Sequence, residues 1–179
     1  MKVFSTFKMV LAALFAALIC VATMLVQIPM PATGGYANLG DGVILLCAFL
    51  INPLYAVMAA GIGSMLADLL AGYMSYAIGT LIIKAGVALI AAMVYNRFGR
   101  NAEPRKAFIS MITASILAEA FMVLGYFIYE AVFLGIGIGA VGAIVGNIGQ
   151  GVVGTVVACM ITPMLSRSRE VRELMEKTW

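Results

Sequence analysis

The 179-residue chain contains no histidine. That removes histidine-ligated zinc, histidine general bases and the Ser-His-Asp triad together. Charge is scarce too: 11% of residues are Asp, Glu, Lys or Arg, against about 25% in soluble domains. The three cysteines, Cys20, Cys47 and Cys159, all lie in apolar runs without CxxC spacing. They read as small buried hydrophobes rather than a disulfide framework or a metal site. No GxxxxGK[ST], HExxH or GxSxG occurs, so there is no P-loop for ATP and no sign of those hydrolase motifs. No cofactor and no bound metal are expected. The basic residues do not alternate with aromatics, so no nucleic-acid patch is expected either.

What is abundant is apolar sequence: 64% of the chain is hydrophobic, and its mean hydropathy is +1.09. This composition predicts an all-α integral membrane protein, a compact bundle forming one domain over 1–179. A spanning helix needs about 20 mostly apolar residues. Six segments are readable: 7–28, a short one at 41–51, then 53–71, 75–96, 105–130 and 138–166. The first run resembles a signal-peptide core but lacks a cleavage site before a polar sequence, so it reads as a retained helix. Pro29 and Pro31 stop it, and Asn52-Pro53 separates the second segment from the third.

Basic residues fix an expected orientation. Lys2 and Lys8 precede the first span, Arg97, Arg100, Arg105 and Lys106 flank the turn between the fourth and fifth, and Arg167, Arg169, Arg172 and Lys177 follow the sixth. Six spans put these three clusters on one side, the cytoplasm by the positive-inside rule, with both termini there. The tail 166–179 reads as a charged, solvated stub. The outer connections, 29–40, 72–75 and 131–137, contain no Lys or Arg. The longest, 29–40, holds two prolines and three glycines, which forbid a helix. It is either a connector or a lid.

Of the eleven basic residues, only Lys84 is left unexplained by this topology. Asp68, Glu119 and Glu130 accompany it. A charge at the bilayer centre costs roughly 2.5–3.5 kcal/mol on insertion scales, so each is a functional-site candidate. All four sit in the middle or outer part of the expected topology, which describes a polar cup facing outward. Lys84 is too deep to snorkel. It needs a carboxylate, with Asp68 and Glu119 the nearest in depth, and that pair is either structural or a substrate anchor.

Asp41 opens the second helix, where N-capping would explain it, and Asn38 can serve a turn; either is also a candidate ligand group. Tyr36 lies in the outer loop. Tyr73 and Tyr76 bracket the next outer turn, as belt residues or as site residues. Glu119, Tyr126 and Glu130 share a helix face by their spacing. Asn147 and Gln150, three apart, are either glue between helices or ligand groups. The joint pattern favours a site for a small, polar, partly aromatic molecule.

The inner halves are apolar and rich in small residues. Ala12-x-x-x-Ala16 and Ala13-x-x-x-Ala17 on the first helix let another helix approach closely, inside the bundle or on a separate protein. The stripe Gly139, Gly142, Gly146 and Gly149 on the last span suits packing within the bundle. No pair of halves repeats with interrupted helices, the usual mark of a secondary carrier.

Residues Gly34 to Gly42, then Asn52-Pro53, Gly61 to Tyr73 and Thr80 to Lys84, with the alanine pattern, resemble the substrate-binding S component of energy-coupling factor (ECF) vitamin transporters. The resemblance implies a six-helix multi-pass protein in a prokaryotic plasma membrane, with an outward cavity capped by the loop after the first helix. It implies three protein partners: a transmembrane coupling protein docking on small-residue surfaces that include Ala12, Ala13, Ala16 and Ala17, and two cytosolic ATPases that would carry any ATP hydrolysis. The Asn-Leu-Gly-Asp stretch is most similar to the hydroxymethylpyrimidine or pyridoxine branch. Pantothenate or riboflavin are the alternatives within the family. A small proton-coupled carrier, using Asp68, Lys84 and Glu119 as a relay, is the alternative outside it.

Overall fold

A computed structural model describes residues 6–178; Lys2 and Trp179 of the basic flank and the tail lie outside the described residues. Helices dominate, in the order α1 (Thr6–Leu25), α2 (Gly40–Leu50), α3 (Pro53–Ala71), α4 (Ala77–Phe98), α5 (Pro104–Ile128), α6 (Val141–Leu165) and α7 (Arg169–Thr178). A π-helical turn, Tyr129–Phe133, extends α5, and a 3-10 turn, Gly137–Ala140, leads into α6. Five of these helical segments are long and apolar enough to cross a membrane, and α2 is a shorter apolar helix.

Local chemistry sets the boundaries. Asn52 caps α3, its side chain accepting from the Leu54 N–H at 3.1 Å, and Pro53 takes the first-turn position where its missing N–H is harmless. Gly72 ends α3 with φ +87°, a left-handed turn that favours glycine. Between α1 and α2 the chain is not a plain loop. Gln27–Met30 (β1) and Gly35–Asn38 (β2) form an antiparallel ribbon with Met30 opposite Gly35. Pairing of Gln27–Met30 therefore ends α1 at Leu25, short of the expected residue 28. Pro29 is tolerated because β1 lies on the outer edge. The turn between the strands closes with Gly34 at φ +71°.

The short α2 organises the rest. At about 1.5 Å per residue it covers roughly 16 Å, about half of a 30 Å hydrocarbon core. It is buried along nearly its whole length, from Gly40 to Leu50, with α1, α3, α4 and α6 packed around it. The half-span that α2 leaves open is covered by the ribbon, whose inner strand β2 is buried while β1 is largely exposed.

Small residues bring these parts together. At Gly63, a Cβ would collide with the Ala16 carbonyl, so α1 and α3 touch backbone to backbone. The glycine stripe of α6 has a different use from the one expected. Cβ atoms at Gly142 and Gly146 would strike Ala32 and Met30 of the ribbon, so these two glycines seat the ribbon rather than another helix, while Gly139 meets only Ile136 and Gly149 faces open space. Gly151 and Gly154 are the ones that pack inward, against Glu119 and Asp41. The tail is not merely a solvated stub: Val171 and Met175 of α7 pack against the core.

Candidate functional site

Beneath the ribbon the helices enclose a small polar cavity. Its floor is an ion pair. Lys84 Nζ lies 2.5 Å from Asp41 Oδ1, with the two side chains 2% and 0% exposed. The partner is thus Asp41, not Asp68 or Glu119 as depth alone suggested. Nor does Asp41 cap its helix: the cap position is Leu39, and Asp41 sits in the first turn, where the positive end of the helix dipole favours a carboxylate. Gln150 Nε2 donates to the second oxygen, Asp41 Oδ2, at 2.5 Å. The Lys84 ammonium also stands 5.4 Å from the Tyr126 ring, close enough for a cation–π contribution.

Three contacts latch the ribbon over this floor. The Asn38 backbone N–H donates to Gln150 Oε1 at 2.6 Å, so Gln150 links the ribbon to the ion pair. Tyr36 Oη donates to Asp68 Oδ1 at 2.6 Å. Tyr76 Oη lies 2.9 Å from the Thr33 carbonyl and 3.2 Å from Glu130 Oε1, with one proton to share between them. Asn38 Oδ1 accepts from the Gly40 N–H at 2.9 Å and so shapes the turn into α2.

Burial, then the Asp68 carboxylate, push the Tyr36 phenol far above its ordinary value. Burial, with Glu130 nearby, pushes Tyr76 up to about 12. Both phenols therefore remain donors across the physiological pH range.

The ring of Tyr73 packs on that of Tyr36, centroids 4.4 Å apart, and meets Tyr76 edge-on at 6.5 Å. Tyr73 supports the aromatic wall without lining the cavity. Asn147 and Tyr126 do line it, and Tyr126 Oη shares a hydrogen bond with Thr80 Oγ1 at 3.0 Å.

Glu119 does not reach the cavity. Met122, one turn nearer the ribbon, meets the Gln150 amide at 3.6 Å, and Glu119 lies beneath it against Gly151. It faces a groove between α5 and α6 lined by Ile116, Val123, Ile148 and Val152, and neither carboxylate oxygen has a hydrogen-bond partner.

Four lining residues were not anticipated from the sequence: Thr23, Met30, Ser64 and Thr80. Two carried a signal. Ser64 stands four residues before Asp68, and Thr80 four before Lys84, so each shares its helix face with an ionisable residue already singled out. Thr23 and Met30 carried none.

The cavity itself is only about 20 Å³, room for about one water. Ligand pockets for organic molecules are typically about 300–1,000 Å³. Accommodating such a molecule requires the ribbon to lift or the tyrosines to swing.

The alanines of α1 lie elsewhere, far down the helix from the ribbon. Ala12, Ala13, Ala16 and Ala17 line an apolar groove of about 350 Å³ between α1 and α3, with Tyr55, Met58 and Ile62 across it. Ala13 and Ala17 are exposed.

Comparison with known proteins adds three findings. A family model described as "ECF-type riboflavin transporter, S component" matches residues 3–167. A protein of Pyrococcus woesei, described as an uncharacterized protein in a gap 3′ region, is 40% identical over 126 residues, 69% of this chain and 77% of that protein. A solved structure described as "Structure and mechanism of the S component of a bacterial ECF transporter" superposes with a TM-score of 0.66, covering 89% of this chain and 95% of that one. The latter pair are 19% identical, so that likeness carries the fold alone.

Proposed function

The chain belongs to the family of S components of ECF-type riboflavin transporters, and from that premise we propose that it captures a small, hydroxylated heteroaromatic vitamin or precursor, of pyridoxine or hydroxymethylpyrimidine size, in the cavity under the β1–β2 ribbon. The observation that carries this reading is the latched polar chamber. Tyr36, Tyr76 and Tyr126 offer ring faces and hydroxyls, and Asp68, Glu130, Asn147 and Gln150 offer polar edges around a space that starts at the size of a water. The ribbon acts as the lid, and its latches to Gln150, Asp68 and Tyr76 close over the occupant.

The orientation follows the basic residues. Lys8, Arg97, Arg105 and Arg172 belong to the end of the bundle opposite the ribbon, which supports an orientation with the ribbon outside the cell and both termini in the cytoplasm. The α1–α3 groove, with Ala12, Ala13, Ala16 and Ala17, is the docking face for a transmembrane coupling protein. Two cytosolic ATPases supply the energy for import.

A second substrate, riboflavin, is favoured by the matching family model itself, and requires a wider opening of the same chamber. The test is calorimetric titration of the purified full chain in detergent with pyridoxine, hydroxymethylpyrimidine, riboflavin and pantothenate. Nanomolar binding of one vitamin by the chain alone is expected. Vitamin uptake by proteoliposomes containing this chain alone, driven by a proton gradient, would instead establish a proton-coupled carrier.

A further inference from the structure

Inside the cavity, donors and acceptors are out of balance. Most of the donors are already engaged. Lys84 gives its charge to Asp41. The Gln150 amide donates to Asp41 and Met122. Tyr36 donates to Asp68, and Tyr76 to Thr33 or Glu130. Thr80 and Tyr126 share one hydrogen bond, which leaves one of the two hydroxyl protons free. Among the described cavity residues, Asn147 keeps an amide with both a donor and an acceptor to offer, and Lys84 keeps N–H groups beyond the one given to Asp41.

The acceptors are open. Asp68 Oδ2 and Glu130 Oε2 are both buried without a hydrogen-bond partner, on residues 4% and 1% exposed that line the cavity. Ser64 Oγ, also lining it, is likewise unpartnered, a hydroxyl that can donate or accept. Thr80 stands beside Asp68 and Thr33 beside Glu130, yet neither Asp68 Oδ2 nor Glu130 Oε2 has a hydrogen-bond partner. Charge runs the same way. Among the described cavity residues, Asp68 and Glu130 face a single cation, Lys84, which Asp41 already holds. A buried acceptor without a donor bears its desolvation cost uncompensated. A ligand relieves it by bringing donors, and relieves it most by bringing positive charge.

We propose that the cavity selects by charge: it takes a cationic or donor-rich heteroaromatic ring, seated with its donors on Asp68 Oδ2 and Glu130 Oε2, and rejects anions. The proposal rests on the reading of this chamber as a vitamin site and names the class that it admits. An aminopyrimidine or a protonated pyridine carries such donors. A carboxylate or phosphate would meet two unpaired carboxylates and find Lys84 already taken.

The experiment pairs each ring with an anionic derivative of itself, titrated calorimetrically into the wild-type full chain. Pyridoxine is set against pyridoxamine and 4-pyridoxic acid, hydroxymethylpyrimidine against its phosphate, and riboflavin against its 5′-phosphate. For whichever ring binds, the anion is expected to bind at least roughly tenfold more weakly, and pyridoxamine at least as tightly as pyridoxine. In Asp68→Asn and Glu130→Gln, checked for folding by size-exclusion profile, the penalty on the anion is expected to shrink severalfold, which a merely bulky substituent would not produce. An anion that matches its neutral parent in wild type overturns charge selection and leaves the vitamin-binding reading standing; so does tight binding of pantothenate. Failure of every ring to bind overturns the vitamin-binding reading itself, and the proposal with it.

Discussion

Replacing Lys84 by methionine keeps most of the side-chain stem and removes the charge. Two unit charges 2.5 Å apart attract by about 7 kcal/mol at an effective dielectric of about 20. Desolvating each ion costs several kcal/mol, so the intact pair contributes little net stability. Removing one partner is different. Asp41, 0% exposed, would keep only its Gln150 hydrogen bond, and an orphaned buried charge costs about 3–5 kcal/mol. The double variant Asp41→Asn/Lys84→Met removes both charges and leaves an amide beside Gln150. It is expected to recover to within about 1–2 kcal/mol of wild type.

The assay is a double-mutant cycle on the purified chain in mixed micelles, read by denaturant unfolding. A coupling energy of about 2 kcal/mol or more between the two sites is expected. If Lys84→Met alone unfolds within about 1 kcal/mol of wild type, or if the single effects add, the pair is not the buried contact described, and the site's charge balance must be reconsidered.

Tyr36→Phe removes the donor to Asp68 Oδ1, 2.6 Å away, and is expected to weaken the ribbon's hold by about 1–3 kcal/mol. Limited proteolysis should then cut within 27–38 severalfold faster than in wild type; equal rates would mean that this bond does not latch the ribbon. Gly142→Val places a branched side chain where even a Cβ would collide with Ala32. The displaced ribbon should raise the dissociation rate of bound vitamin about tenfold in stopped-flow fluorescence, since overpacking costs about 1–3 kcal/mol. Ala13→Trp fills the exposed α1–α3 groove while leaving the cavity untouched. Copurification with the coupling protein and ATPases should be lost and vitamin affinity unchanged; parallel loss of both would indicate misfolding.

The long helices were legible because a bilayer leaves little freedom: an apolar run of about 20 residues has one use. Even the half-length of α2 was legible, since Asn52-Pro53 cuts it short. The ribbon was not. Pro29, Pro31 and three glycines correctly exclude a helix, but strand pairing across a four-residue turn depends on the glycine face of α6, where Gly142 and Gly146 make room for it. No local signal in residues 27–38 encodes that seat.

The same cause explains the misassigned ion pair. Judged from the helix ends alone, Asp41 stands at the outer surface, because it opens a helix. But α2 is half a span whose C-terminal end meets the α3 boundary at Asn52, so its N-terminal end lies in mid-membrane, level with Lys84. Glu119 erred in the opposite direction. Its spacing of seven and four to Tyr126 and Glu130 places it on their helix face, yet face is not depth. The plug formed by Met122 and Gln150 leaves Glu119 one turn below the cavity. In both cases the sequence identified which side chains cannot face lipid, while the half-length helix decided which of them meet: Asp41 acquires Lys84 because α2 begins where a full span would be half crossed, and the ribbon acquires its place because that half is left to fill.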